Sequence, residues 1–175
     1  MNLRERLAAV RVLLLDVDGV LTDGSIVYPA DGREIKCFHA KDGLGIRLLM
    51  DAGIQVGIVT GRSSEALVHR CRNLGITLIF DGVKDKGAVL EEVLARTGAT
   101  PEETAFAGDD LPDIPLMRRV GFSAAVADAH EAVRQEADMV TLREGGRGAV
   151  REICEAILKA RGSWEKIVEG FRCVL

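Results

Sequence analysis

Two aspartates one residue apart carry the strongest chemical signal in this sequence. Asp16 and Asp18 directly follow the apolar run Val12–Leu15. An uninterrupted apolar run is typical of a parallel strand that is buried on both faces. In an open α/β sheet, ligands bind where such strands end. Because two like charges about 4 Å apart repel by roughly 4 kcal/mol at an effective dielectric constant near 20, we expect a metal ion, a proton or a phosphoryl group beside them.

Further polar residues follow three later strand-like segments. They are Thr60, Lys86 and the acids Asp109, Asp110 and Asp113. The carboxyl ends of parallel strands meet at one edge of a sheet, so these side chains are expected to converge. A hydroxyl, an ammonium group and two sets of acids suit phosphoryl transfer, in which catalysis is mostly positioning and charge neutralisation.

Taken one at a time, these residues have simpler interpretations. Asp109 and Asp110 could cap helices. Thr60 could merely end a strand, and Lys86 could be a solvated lysine at the start of a helix. Lys84 is a second candidate for the lysine position. Helix capping does not account for the repeated placement at strand ends, so we favour one shared site.

Strand-like and helix-like segments alternate along the chain. Strands are predicted over residues 10–15, 55–60, 77–80, 104–107, 123–127 and 139–141, and helices over 44–52, 64–74, 86–97, 112–120, 130–136 and 149–160. This alternation predicts an α/β fold with a doubly wound, Rossmann-like parallel sheet and helices on both faces. We expect a single domain over residues 1–175.

The segment between the first strand and the first helix is too long for a simple connection. Residues 25–28 and 34–39 flank the sequence Pro-Ala-Asp-Gly, which is typical of a turn between short strands. We predict a β-hairpin flap over about residues 25–39, projecting beside the acids. A lone hairpin is marginally stable in water, so its apolar side chains are expected to pack against a partner subunit.

Bulk properties exclude several classes of protein. The 175 residues carry a formal net charge of −4, which argues against non-specific nucleic-acid binding. The apolar stretches are too short to span a membrane, and residues 1–11 do not resemble a signal peptide. We therefore expect a cytoplasmic protein whose cysteines are reduced thiols; these are Cys37, Cys71, Cys154 and Cys173.

The ordered set of Asp16, Asp18, Thr60, Lys86 and the acid pair at 109–110 resembles the haloacid dehalogenase superfamily of phosphatases, over nearly the whole chain. The resemblance implies that Asp16 is the nucleophile and forms an aspartyl-phosphate. It implies that Asp18 protonates the leaving group and then activates water. Thr60 and Lys86 would neutralise the phosphoryl oxygens.

The same resemblance implies a Mg²⁺ site. Asp16, the backbone carbonyl of Asp18 and Asp109 would bind the ion, because Mg²⁺ prefers oxygen ligands. Asp110 would support the metal's water shell, with Asp113 as a neighbour. The chain has no room for the separate cap domain that many members carry. Capless members assemble, usually as tetramers in which a neighbour closes the pocket, so we expect a homotetramer.

A narrower resemblance, to the 3-deoxy-D-manno-octulosonate 8-phosphate phosphatases, rests on residues 16–24, 39–43, 60–62 and 145–152. These enzymes release phosphate and an octulosonate used in lipopolysaccharide biosynthesis. The resemblance implies substrate contacts from Asp18, His39, Ala40, Lys41, Asp42, Gly43, Arg47, Gly61, Arg62, Arg70 and Lys86. Arg62 would bind the sugar carboxylate, since a guanidinium can do so with two hydrogen bonds.

Several alternatives stay open on sequence alone. A nine-carbon 2-keto sugar acid 9-phosphate is a second substrate, although relatives of that type tend to carry Glu where Arg62 stands. A non-catalytic or phospho-receiver-like domain is a third reading, disfavoured by the order of the motifs. Arg47 and Arg70 could be solvated helix charges, and His39 stands where the family commonly has Asn. Residues 162–175 could form a helix on the protein's own body or a tail that reaches a neighbour.

Overall fold

In the computed structural model, which describes residues 2–173, six parallel strands form one sheet in the order β3-β2-β1-β4-β5-β6. The strands are β1 (Val12–Leu15), β2 (Gln55–Val59), β3 (Leu78–Phe80), β4 (Thr104–Gly108), β5 (Phe122–Ala125) and β6 (Met139–Val140). Every residue of β1 is buried, as expected for a central strand that is covered on both faces.

The helices cover both faces of this sheet. They are α1 (Leu3–Ala9), α2 (Ala40–Asp51), α3 (Glu65–Leu74), α4 (Val89–Thr97), α5 (Ile114–Met117), α6 (Glu131–Glu136), α7 (Ala149–Ala160) and α8 (Trp164–Arg172). Right-handed crossovers place α2 and α3 on one face and α4, α5 and α6 on the other. On the first face, α7 packs against α1, α2 and α8. The predicted doubly wound fold is thereby confirmed. Among residues 2–173, the helices are too short or too polar to span a bilayer.

The strand order places the two acid motifs side by side. The chain leaves β1 towards β2 and β3 and then returns to the other side of β1 as β4. The order therefore reverses between β1 and β4, and ligands of doubly wound sheets bind at such a switch point. Asp16 follows β1 and Asp109 follows β4, so both lie at this position.

Two helices near the chain ends go beyond the sequence prediction, since α1 was not predicted and α8 was left open. The first, α1, begins with a capping box in which Asn2 and Glu5 bond each other's backbone. The second, α8, packs on the core through Trp164 and Ile167, and the guanidinium of Arg151 lies 5.3 Å from the Trp164 ring centroid. Of the two alternatives for the C-terminal segment, the helix that packs on the protein's own body is therefore the one observed for α8. Residues 174 and 175 lie outside the described residues.

The flap forms an arm rather than a two-stranded ribbon. A single antiparallel bridge joins Val27 and Ile35, and the described arm contains no strand of its own. Pro29 lacks a donor, and no third strand lies alongside to extend the pairing. Ile26, Val27, Tyr28 and Ile35 are each about half exposed. The predicted strands at 25–28 and 34–39 were therefore wrong, while the projecting arm is present.

Candidate active site

Three carboxylates meet where β1 and β4 end. Asp16, Asp109 and Asp113 each place one oxygen within 4.8 Å of the other two. The parallel register pairs Leu15 with Ala107, and the Asp16 amide donates to the Ala107 carbonyl at 3.0 Å. Asp16 is 5% exposed and Asp113 is 1% exposed. The sheet therefore holds three acids together, two of them almost completely buried, and we call them the acid cluster.

One lysine reaches the acid cluster. The Lys86 ammonium lies 2.8 Å from Asp16 Oδ1 and 2.5 Å from Asp113 Oδ1, and its side chain is 7% exposed. Helix α4 begins at Val89 instead of the predicted residue 86, so Lys86 lies in the preceding turn and can point into the site. Lys84, the other candidate, is exposed. Of the two lysines, only Lys86 contacts these acids.

The electrostatics of the acid cluster favour a cation. Burial, and next the charge of Asp113, raise the pKa of Asp16 to about 6, although Lys86 opposes the shift. Burial, followed by the charges of Asp16 and Asp113, raises the pKa of Asp109 to about 8. Three acids thus share one ammonium group. Their clustered carboxylate oxygens match the ligands of a hard divalent cation, so the residues present fit a magnesium site.

The acids that follow β4 divide into two roles. The Asp113 carboxylate accepts the amides of Asp109 and Asp110 at 2.8 and 3.2 Å. Asp110 instead caps the short 3₁₀ turn Leu111–Asp113 through the Leu111 amide at 2.8 Å, and it is exposed. Asp113 therefore occupies the inward position and Asp110 the outward one, and the support that Asp110 would give to the metal's water shell stays a prediction.

Glycines allow the loop after β1 to approach the acids. Gly19 has φ +96°, and a Cβ there would lie 2.0 Å from Asp109 Oδ2. A Cβ on Gly145 would lie 1.6 Å from the Gly19 carbonyl oxygen, and the Gly146 amide donates to the Val20 carbonyl at 2.9 Å. The turn at 145–146 therefore packs directly behind the loop that carries Asp16 and Asp18, a contact that the sequence analysis did not predict.

Asp18 is engaged by the flap. Lys36 donates a hydrogen bond to Asp18 Oδ1 and lies 2.6 Å from Glu34 Oε1. The Arg62 guanidinium donates to Glu34 Oε2 and to the Tyr28 hydroxyl, both at 2.6 Å. We call Asp18, Glu34, Lys36 and Arg62 the flap network. Sequence reasoning missed Glu34 and Lys36, although two charged residues at i and i+2 on a predicted arm beside the acids could have indicated them.

Hydrogen bonds within the flap network favour the charged forms of Glu34, Lys36 and Arg62. Hydrogen bonds from Arg62 and Lys36 lower the pKa of Glu34. Burial by itself lowers the pKa of Lys36, but its hydrogen bonds to Asp18 and Glu34 outweigh burial and the pKa is raised. Hydrogen bonds to Glu34 and Tyr28 raise the pKa of Arg62. Arg62 is thus a fixed cation near the acids.

Thr60 and Gly61 lie at the end of β2, as predicted. Thr60 is 2% exposed, and its backbone carbonyl accepts the Val83 amide at 3.0 Å. Next to them, a cavity of about 630 Å³ opens between the flap and the start of α3. Tyr28, Glu34, Arg62, Ser64 and His69 line part of it. An elongated ligand could therefore extend from the acid cluster along Arg62.

The segment 39–43 lies at the start of α2, and the buried side chain of Asp42 bonds another part of the chain. Asp42 is 1% exposed, and burial raises its pKa. Its carboxylate accepts the Gly148 amide at 3.3 Å and the Arg151 amide at 2.7 Å. It thereby caps α7 from a neighbouring helix. The Asp42 side chain is occupied by this contact, so its predicted substrate contact could come only from the backbone.

Other predicted substrate contacts lie on the outer surface of α2 and α3. Arg47 donates to the Asn73 carbonyl at 2.6 Å. Arg70 donates to the His39 carbonyl at 3.3 Å, and a Cβ on Gly43 would lie 2.3 Å from its Nη2 atom. A separate cavity of about 430 Å³ is lined by His39, Lys41, Arg143, Arg147, Gly148, Arg151, Glu152 and Glu155. None of the contacts found for these side chains reaches the acid cluster of the same chain.

Comparisons with known proteins agree with this geometry. A family model for haloacid dehalogenase-like hydrolases matches residues 76–153. The chain is 47% identical, over 161 residues, to the 3-deoxy-D-manno-octulosonate 8-phosphate phosphatase of Yersinia pestis, covering 92% of this chain and 86% of that protein. It is 45% identical to the enzyme of the same name from Escherichia coli K12, covering 90% and 84%.

Solved structures give the same result. The crystal structure of the Yersinia pestis phosphatase superposes with a TM-score of 0.91 at 46% identity, covering 93% of this chain and 88% of that one. The Moraxella catarrhalis phosphatase, in complex with magnesium ion, phosphate ion and a KDO molecule, superposes with a TM-score of 0.94 at 39% identity, covering 96% and 97%.

The chain therefore belongs to the haloacid dehalogenase-like hydrolases, as the order of its motifs predicted. The two relatives named above, which match over nine-tenths of its length, are both named 3-deoxy-D-manno-octulosonate 8-phosphate phosphatase. The protein is thus an enzyme of the phosphatase branch of that family.

Proposed function

We propose that the protein hydrolyses 3-deoxy-D-manno-octulosonate 8-phosphate to 3-deoxy-D-manno-octulosonate and phosphate, with Mg²⁺, in lipopolysaccharide precursor biosynthesis. The observation that carries the proposal is the acid cluster at the sheet's switch point with Lys86 bonded to two of its members. The relatives named above supply the substrate class. The Mg²⁺ ion would be held by Asp16, Asp109 and the backbone carbonyl of Asp18.

In the first step, an Asp16 oxygen attacks phosphorus and the bond to the sugar oxygen breaks. The Asp18 carboxyl gives its proton to that oxygen as the sugar leaves. In the second step, Asp18 accepts a proton from water, the water oxygen attacks phosphorus, and the bond to Asp16 breaks. Bound Mg²⁺ would supply positive charge to the phosphoryl oxygens, and Lys86 and Thr60 would share that task.

Substrate orientation would depend on Arg62. Its guanidinium borders the cavity beside the flap, and it is held in place by Glu34 and Tyr28. A fixed, planar cation is suited to a carboxylate, which it can bind through two hydrogen bonds. We propose that the sugar carboxylate binds here and the phosphate at the acid cluster.

We also propose a homotetramer in which subunits close each other's active sites. Ile26, Val27, Tyr28 and Ile35 leave apolar surface exposed on the flap, and exposed apolar patches typically mark interfaces. Arg47, Arg70 and the segment 39–43 contact other parts of the chain surface instead of the acid cluster, so they would act on a neighbour's site. Light scattering should give the mass of four chains, and a monomer with full activity would contradict this proposal.

The absence of disulfides among the four cysteines, all within residues 2–173, supports a cytoplasmic location. Cys37, Cys71, Cys154 and Cys173 are all free cysteines, and reduced cysteines are typical of proteins in a reducing compartment. We propose that one domain acts there on a small sugar acid phosphate, without nucleic acid or membrane.

Phosphate release measured with Mg²⁺ tests the substrate. We expect kcat/KM to be at least about tenfold higher for the eight-carbon sugar acid 8-phosphate than for a nine-carbon 2-keto sugar acid 9-phosphate or a simple sugar phosphate. Preference for the nine-carbon compound would overturn the narrow assignment.

The role of Arg62 has a matched control elsewhere on the surface. Arg62→Met should lower kcat/KM for the sugar acid by about 10- to 100-fold, the loss expected for one charge-assisted hydrogen bond, and should have little effect on an ester without a carboxylate. Arg118→Met removes an exposed cation that pairs with Glu136, and should behave as wild type. Equal losses for both esters would exclude a carboxylate contact.

A further inference from the structure

A nearly buried lysine of the flap contacts the second aspartate of the catalytic loop. The Lys36 side chain is 2% exposed, while those of Asp18 and Glu34 are 18% and 11% exposed. Lysine is among the residues most rarely buried, and it is buried only when its charge is paired. Here both partners are carboxylates, and one of them is the proposed general acid and base.

The contact with Asp18 is one-sided. Lys36 donates to Oδ1, whereas Oδ2 is buried and has no hydrogen-bond partner among the described residues. Arg62 Nε lies 3.8 Å from Oδ2 and is itself buried without a hydrogen-bond partner among the described residues. One oxygen of Asp18 is therefore held by Lys36, and the other is left without a hydrogen bond from the described residues.

We propose that Lys36 is a positioning residue for catalysis, which fixes the Asp18 carboxyl group so that its free oxygen faces the sugar oxygen that leaves. The proposal rests on the proposed function. In the first step, the proton leaves Asp18 Oδ2 for the sugar oxygen as the phosphorus–oxygen bond breaks and its electron pair goes to that oxygen. In the second step, Oδ2 takes the proton from the attacking water.

Glu34 connects this role to substrate binding. Its two oxygens face different cations, since Oε1 lies 2.6 Å from Lys36 and Oε2 lies 2.6 Å from Arg62. The residue that orients the acid and the residue proposed to bind the sugar carboxylate are thus fixed by one flap side chain. A flap displaced from the site would release both Asp18 and Arg62.

Substrates with different leaving groups distinguish a residue that positions the general acid from a residue that only supports the fold. A sugar alkoxide needs a proton to leave, whereas p-nitrophenolate is stable without one. Single-turnover release of the leaving group, with Mg²⁺-loaded enzyme in excess, reports the first step alone. A residue that acts through the general acid should affect the two leaving groups unequally.

Lys36→Met keeps the length of the side chain and removes its charge and hydrogen bonds. We expect single-turnover release of the sugar to slow by about 30-fold or more, since a general acid contributes 10²- to 10⁴-fold. Release of p-nitrophenolate should change by less than about threefold, and KM for the sugar phosphate should stay within about threefold of wild type. Arg118→Met, which removes an exposed cation that pairs with Glu136 away from the flap, should leave all three values unchanged.

If Lys36→Met fails to fold, as judged by its melting temperature, Lys36→Gln is measured instead. Equal slowing of both leaving groups would overturn the proposal, as would a change confined to KM. Wild-type activity on the sugar phosphate tests the proposed function separately. If that activity is absent, the same comparison uses any alkyl phosphate that the wild type hydrolyses, so the two failures are distinguishable.

Discussion

Removing magnesium should weaken the fold more at pH 8 than at pH 5. In the metal-free site, burial and neighbouring acids raise the pKa of Asp16 from 3.8 to about 6 and that of Asp109 from 3.8 to about 8. A carboxyl group whose pKa is higher in the folded state stabilises the fold below its unfolded pKa, and this stabilisation is lost as the pH rises through the folded pKa. The metal-free protein should therefore lose stability across this interval.

The magnitude follows from the two pKa values of Asp16. For a pKa of 3.8 in the unfolded chain and about 6 in the fold, linkage gives a loss of about 1.4 kcal/mol between pH 5 and pH 8. Asp109 titrates in the same interval and adds to the loss. In a chain of this size, 1 kcal/mol shifts Tm by roughly 2–4 °C. Mg²⁺ compensates the ionised acids, so the Mg²⁺-induced rise in Tm should be at least about 3–6 °C larger at pH 8.

Scanning calorimetry with Mg²⁺ or with a chelator, at both pH values, measures this difference. Groups that titrate identically with and without Mg²⁺ cancel in the comparison. Asp109→Asn should abolish most of the Mg²⁺-induced rise, whereas Asp51→Asn, at an exposed position at the end of α2, should retain it. An Mg²⁺ effect that is equal at the two pH values, or larger at pH 5, would refute the electrostatic account of the acid cluster.

Three substitutions test other parts of the site. Asp16→Asn should lower kcat by about 10⁴-fold in a phosphate-release assay without unfolding the protein; residual turnover near wild type would exclude the covalent route. Gly19→Ala should abolish the Mg²⁺-induced rise in Tm, because the added Cβ would meet Asp109. Gly53 also has a positive φ but open space around it, so Gly53→Ala should lower the free energy of unfolding in urea by only about 1–2 kcal/mol. Asp42→Ala removes the cap of α7 and should cost about 0.5–2 kcal/mol in the same measurement; unchanged stability would contradict the capping role.

The parallel sheet could be predicted because buried parallel strands consist almost entirely of apolar residues. Val12–Leu15 is such a run, and all of it is buried. The strand order was not predictable in the same way, because the insertion of β4 beside β1 depends on packing between segments about ninety residues apart. Helix α1 was missed because a segment of seven residues offers too little periodicity, although Asn2 and Glu5 formed a cap signal.

Sequence reasoning located residues at the sheet edge correctly where a residue follows a strand directly. Asp16 and Asp109 lie where strand-end reasoning placed them. Which of Asp110 and Asp113 points inward depends on the 3₁₀ turn Leu111–Asp113, and composition does not reveal such a turn. Lys36 was missed because its arm forms no regular strand, so the i, i+2 spacing of Glu34 and Lys36 was only a weak signal.

The contact between the 145–146 turn and Gly19 has a consequence for the timing of biosynthesis. The aspartates that follow β1 are made before the glycines that support their loop, which follow more than a hundred residues later. Until that stretch emerges, the nascent chain carries its reactive acids on an unsupported segment. A ribosome-bound fragment that stops before residue 145 should therefore show no phosphatase activity, even after its central strands have paired.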